Sequence, residues 1–192
     1  MTHYIKGFPQ SEADEDLKFV NVDELEEKAK EVMPEGAYYY VASGSEYEWT
    51  WRNNTTAFNH YQIVPRALTG MDNPSTETEF LGMKLKTPIM ISPIACHGIS
   101  HADAEVATQK GAALAGAMFT SSTYGNKPVE EIAAAAPDAP RMFQLYLSKN
   151  WDFNKMVFDA INAAGYKAIL LTVDALVSGY REANLRTNFA FP

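Results

Sequence analysis

RMFQLYLSKNWDFNKMVFDAINAAGYKAILLTVDA (141–175) decides the fold. RMFQLYL (141–147) and KAILLTVDA (167–175) are apolar runs of strand length, and the residues between them, Phe153–Ala164 above all, are helix formers. A strand with one face in water alternates apolar and polar residues, whereas these runs do not, so both of their faces need cover. Strand, helix and strand in that order make a parallel pair with the helix packed on the sheet.

The same rhythm extends towards the N-terminus. PIMISPIA (88–95) precedes a helical stretch at Ala102–Ala115, and AMFTSS (117–122) precedes VEEIAAAA (129–136). The pattern predicts four parallel strands with three covering helices, an α/β arrangement of the β/α-barrel (TIM barrel) type. Each strand ends in small or polar residues: Pro93-Ile94-Ala95, Ser121-Ser122, Gln144-Leu145-Tyr146 and Thr172-Val173-Asp174. In a β/α barrel those C-terminal ends carry the active site. Eight strands typically take about 250 residues, and roughly a hundred are available here, so four strands leave the barrel open. The sequence stops at Phe191-Pro192 before any fourth helix, and the expectation is half a barrel with two unpaired sheet edges.

Residues 1–86 read differently. A lead-in over 1–20 is followed by Asn21-Val-Asp-Glu24, a capping box opening a helix that runs to Met33 and stops at Pro34. Further helices are expected over Gly36–Ala42 and Glu46–Phe58, with Trp49 and Trp51 on different faces. Gln62–Val64, Glu79–Leu81 and Lys84–Leu85 read as short strands, the last two turning at Gly82. The expected division is therefore 1–86, helices and short strands closing the barrel bottom, and 87–192, the barrel strands.

Composition narrows the partners. The 192 residues carry a formal net charge of −8, and 46% are hydrophobic. An acidic balance disfavours nucleic acid and anionic membranes, which recruit a surplus of Lys and Arg. The single cysteine, Cys96, precludes an intrachain disulfide. No apolar run approaches the roughly 18 residues of a membrane helix, and the first residues lack a signal-peptide core. The expected setting is cytoplasmic.

Chemistry-bearing residues gather at the strand ends. Ser122, Gln144 and Thr172 follow three successive strands, and neutral hydroxyl and amide groups suit a polar, uncharged ring edge. Ordinary satisfaction by neighbouring loops is the competing reading. GAALAG (111–116) lies within a helix, not after a strand, so no dinucleotide motif is present. One cysteine and scattered histidines make no metal site.

Six segments in order carry a family resemblance: YYVASGSEYEWTWRNN (39–54), PRAL (65–68), TPIMISPIACHG (87–98), FTSSTYG (119–125), RMFQLYLSK (141–149) and AILLTVDALVSGYREANLR (168–186). Together they resemble the FMN-dependent α-hydroxy-acid oxidases, and the TYG segment and last motif are most similar to the lactate-oxidising members. The resemblance implies FMN as cofactor and oxidation of a small L-2-hydroxy acid to the 2-oxo acid, with O2 reduced to hydrogen peroxide. It implies that Pro93, Ile94 and Ala95 lie against the flavin, with Ser122, Gln144 and Thr172 along its edge. Arg181, Tyr40, Tyr146 and Tyr124 are implied as substrate-binding, a guanidinium being suited to a carboxylate; Arg186 is the competing arginine.

The resemblance also places the histidine base, a second arginine, a lysine and the phosphate site in a C-terminal half, and implies a homotetramer. His97 and His101 are accordingly read as loop histidines, Cys96 as a buried small residue and Asp174 as ordering its loop. Sister activities stay open alongside: a longer-chain oxidase, a monooxygenase or a quinone-linked dehydrogenase. So does a half-barrel that catalyses nothing without its partner half.

Overall fold

A computed structural model of the chain describes residues 19–70 and 72–190. They fall into two compact units, one of residues 75–176 and the other of residues 19–74 together with 177–190. The units cut across the expected boundary at residue 86, since the short hairpin groups with the sheet and the last residues group with the N-terminal helices.

The sheet unit begins with an antiparallel ribbon, β1 (Thr78–Phe80) and β2 (Met83–Leu85). Leu81 and Gly82 both have positive φ, 50° and 75°, the requirement of a tight two-residue hairpin turn whose twist matches the strands. Four parallel strands follow, ordered β3-β4-β5-β6: Met90–Ile91, Met118–Ser122, Arg141–Leu145 and Ala168–Leu171. Helices α4 (Ala104–Ala115), α5 (Val129–Ala135) and α6 (Trp151–Ala163) connect them.

The central strands β4 and β5 are buried at every residue, as continuous apolar runs demand. Phe143, Leu145, Ile161, Tyr166 and Ala133 form one core cluster, and Ala112, Phe119 and Ile132 another. A third, Met118, Met142, Met83 and Leu85, packs the ribbon against the sheet. The outer strand β6 keeps Ile169, Leu170 and Leu171 exposed by 46%, 42% and 51%, so its apolar pattern has no cover among the described residues. The strand expected over 88–95 shrinks to two residues. Pro88 and Pro93 flank it, and neither can donate an N–H to the ladder.

Capping explains the helix ends. The Asn150 side chain accepts from Phe153 N at 3.2 Å to open α6, and Gly116 closes α4 at φ 69° in the left-handed cap that favours glycine. Arg141, 5% exposed, donates to the carbonyl of Ala133 in the last turn of α5 and to those of Ala136 and Pro137 just beyond it. Its charge sits at the negative pole of a short helix that ends in alanines.

In the second unit, α1 (Val22–Val32), α2 (Glu35–Ala42) and α3 (Trp49–Thr56) follow in turn, and α3 runs on into a 3-10 turn at Ala57–His60. Asn21 accepts from Glu24 N at 3.0 Å, while the Glu24 carboxylate reaches Val20 N at 3.0 Å, one residue before the expected cap position. Gln62–Val64 forms no strand. Ile63 is 96% exposed, no ladder partner lies beside it among the described residues, and Pro65 restrains its neighbour to extended backbone. A short helix α7 (Glu182–Arg186) appears where a loop was expected; its Glu182–Arg186 pair, 2.8 Å apart at i,i+4 spacing, was a readable sign.

Phe143→Ala should cost about 3–5 kcal/mol of stability, because the site is packed on all sides and cannot collapse. Denaturant unfolding checks this, with an unfolding midpoint well below that of the unchanged protein as the expected result.

Candidate cofactor and substrate site

Parallel pairing puts Ser122 opposite Gln144 and Leu145 opposite Leu171, so the residues that end three strands arrive at one level. Ser122 Oγ donates to Gln144 Oε1 at 3.2 Å, and Gln144 Nε2 donates to Thr172 Oγ1 at 2.8 Å. The three residues singled out from spacing thus form one continuous hydrogen-bonded row. Ser122 and Gln144 are buried, 7% and 3% exposed, where an unpaired amide or hydroxyl would be costly.

Thr123 is the member that sequence reading missed. Its N–H donates to Gln144 Oε1 at 3.1 Å, its hydroxyl donates to Gln144 O at 2.7 Å, and Thr123 Oγ1 in turn accepts from Tyr146 N at 3.0 Å. The fourth consecutive hydroxyl of Thr120-Ser121-Ser122-Thr123 was the available signal. Tyr124 and Tyr146, which follow β4 and β5, bring their ring centroids to 5.4 Å at 42°. Pro93, Ile94 and Ala95 lie in coil just after β3, with Ile94 exposed and the other two half-buried.

The loops after β3 and β4 are joined. Cys96 N donates to Tyr124 O at 2.9 Å, and Gly98 N donates to Asn126 Oδ1 at 2.7 Å. A Cβ on Gly98 would fall 2.8 Å from that oxygen, so the approach requires glycine. His97 Nδ1 lies 2.9 Å from Thr108 Oγ1, and its Nε2 is buried with no partner among the described residues. Burial lowers the His97 pKa below its usual 6.5, against the opposing pull of Glu105 and a backbone contact at Ile94. Burial also raises the Cys96 thiol. His101 is exposed and accepts from Asp103 N at 3.1 Å through Nδ1.

Tyr40 and Arg181 come together in the other unit. The guanidinium lies 4.7 Å from the Tyr40 ring centroid, within the cation–π range. Its Nη2 donates to the carbonyls of Tyr40 and Ser43, the latter at 2.7 Å, at the end of α2. Its Nε is buried with no partner among the described residues. Arg181 therefore anchors a helix terminus, a duty the sequence did not announce. Arg186 is exposed and pairs with Glu182.

The donor set of the row fits a flavin edge. Gln144 Nε2 uses one of its two hydrogens on Thr172, and the Thr172 hydroxyl proton has no acceptor among the described residues. Two donors therefore remain for ring carbonyls, with no charge to bury. Among the described residues no cluster of three or more His, Cys, Asp or Glu could hold a metal, and no helix is long and apolar enough to cross a membrane.

The sequence model of the FMN-dependent dehydrogenase family matches residues 29–192, and the chain belongs to that family. The L-lactate oxidase of Lactobacillus jensenii is 74% identical over 192 residues, covering all of this chain and 47% of that protein. The L-lactate oxidase of Lentilactobacillus hilgardii is 47% identical over 188 residues. Among solved structures, a lactate oxidase of Pediococcus acidilactici superposes with a TM-score of 0.92 at 45% identity, over 96% of this chain and 52% of that one. A mandelate oxidase gives 0.85 at 30% identity. The chain spans about half the length of the curated relatives it matches, and its fold is that of half an FMN-dependent β/α barrel.

His97 sets a pH dependence. Its folded pKa lies below the 6.5 of the unfolded chain, so the unfolded state binds more protons between the two values. The contribution to stability is complete above 6.5 and is lost as pH falls from there towards the folded value. Thermal unfolding followed from pH 7 to pH 5 should show a steeper loss for the unchanged protein than for His97→Gln.

Proposed function

We propose that the chain is the flavin- and substrate-facing half of an L-lactate oxidase, which converts L-lactate and O2 to pyruvate and hydrogen peroxide. The observation that carries the reading is the Ser122–Gln144–Thr172 row at the C-terminal ends of parallel strands, supported by the 74% identity along the whole chain. Bound FMN would supply a ring that takes a hydride equivalent from C2 of the substrate and passes its electrons to O2.

The residues then have separate duties. The row presents its two remaining donors to the ring carbonyls, and the segment Pro93–Ile94–Ala95 forms the surface on which the ring rests. Ala95 keeps its side chain small where ring and substrate both approach. Arg181 and Tyr40 bind the substrate carboxylate, the guanidinium oriented by the α2 carbonyls it already holds. Tyr146 and Tyr124 form the pocket wall, and their hydroxyls serve the carboxylate and the substrate oxygen. No histidine of this sequence is assigned as base. We place the base, the second arginine, the lysine and the phosphate site in a C-terminal half that completes the barrel, in a cytoplasmic homotetramer.

Purified whole protein given L-lactate in air should yield pyruvate and peroxide in equal amounts, and Arg181→Lys should lower kcat/KM roughly 10–100-fold, because an ammonium cannot hold the Tyr40 and Ser43 carbonyls and the substrate carboxylate with the planar geometry of a guanidinium. FMN content per chain should be unchanged in that variant. A whole protein that carries FMN but produces no peroxide from L-lactate overturns the reading.

A further inference from the structure

We propose that Glu105 is a positioning residue for this site: its buried carboxylate fixes the two loops that carry the Pro93–Ala95 segment and Tyr124. The inference rests on the functional reading above for what those loops touch, and on the structure itself for how they are held.

Glu105 stands in the first turn of α4 and is fully buried. Its Oε1 accepts from His97 N at 3.2 Å and Asn126 N at 3.0 Å, and its Oε2 accepts from Lys127 N at 3.1 Å. One N–H belongs to the loop after β3 and two belong to the loop after β4. No Lys or Arg pairs with Glu105 among the described residues, and the Lys127 ammonium faces Glu131 instead, at 3.8 Å. A buried charge without a counter-ion persists only where N–H dipoles converge on it. These three amides, with the N-terminal pole of α4, supply that convergence.

A carboxylate is also the side chain the position requires. It accepts at both oxygens and donates nothing, which matches three inward N–H groups; an amide would turn an NH2 towards one of them. The backbone around it is costly, since Cys96 in the loop after β3 and Ala104 at the start of α4 both have left-handed φ, 55° and 46°. Residues in that region persist only when their surroundings over-determine them. Cys96 lies next to Ala95, and Asn126 lies two residues beyond Tyr124. A shift of the staple therefore moves both walls of the site together.

The test uses the whole holoenzyme and Glu105→Gln, with Glu105→Asp as the variant that keeps the charge. In Glu105→Gln, amide exchange should rise about ten-fold in peptides covering 96–99 and 123–128, as expected for the loss of one charge-assisted bond, while β4 and β5 keep their protection. FMN affinity, read by flavin fluorescence, should fall about ten-fold, and KM for L-lactate should rise by a similar factor with kcat changed far less. Glu105→Asp should recover part of each effect; if Glu105→Gln does not fold, Glu105→Asp against the unchanged enzyme carries the same comparison. Loop exchange that stays unchanged, or that rises while FMN affinity and KM do not move, overturns the proposal. An unchanged enzyme that binds FMN but ignores L-lactate contradicts the functional reading alone, and exchange with FMN affinity then decides the role of Glu105.

Discussion

Parallel register is the constraint on which the rest of the structure depends. In a parallel sheet neighbouring strands point the same way, so their C-terminal ends lie at one edge and the residues just past them meet. Here the pairing of Ser122 with Gln144 and of Leu145 with Leu171 leaves Gln144 between two hydroxyls. A slip of one residue would turn Gln144 to the other face of the sheet and break the row. The buried apolar residues Met118, Phe119, Phe143 and Leu145 resist that slip, because it would bring the same inversion to the core. Packing thus sets the geometry of the site before any ligand is present.

Around that row the loops are tied down in a defined order. Thr123 joins β4 to the end of β5, the Cys96–Tyr124 and Gly98–Asn126 bonds join the first two loops, and Glu105 lies beneath both. The bonds are short in reach and mostly involve backbone N–H groups. They fix where the chain runs after β3, β4 and β5, and with it the stretches that hold Tyr124 and Tyr146, whose rings meet at 5.4 Å. In the other unit the guanidinium of Arg181 does similar work on the end of α2.

The strands and helices between Pro88 and Ala175 were legible in the sequence because continuous apolar runs alternate with helix formers, and strand ends can be read from where the apolar run stops. Ser122, Gln144 and Thr172 were found by that rule, and the structure joins them. What sequence could not give is reach across the fold. Nothing in Arg181 announces that the carbonyls of Tyr40 and Ser43 will take its hydrogens, and nothing in Glu105 announces three amides from distant loops. The strand expected at Gln62–Val64 failed for a related reason: a strand-like pattern needs a partner, and pairing is not local. The shortened β3 was legible in principle, since its two prolines mark its limits.

The central claim is that the strand-end row holds the flavin edge, and Gln144→Leu tests it most directly. Leucine keeps the volume but removes the Nε2 donor together with the Oε1 acceptor of Ser122 and Thr123. Measured on the whole protein by flavin fluorescence, FMN affinity should fall roughly 10–100-fold, in line with the loss of one to two buried hydrogen bonds. FMN bound as tightly by Gln144→Leu as by the unchanged protein would contradict the account.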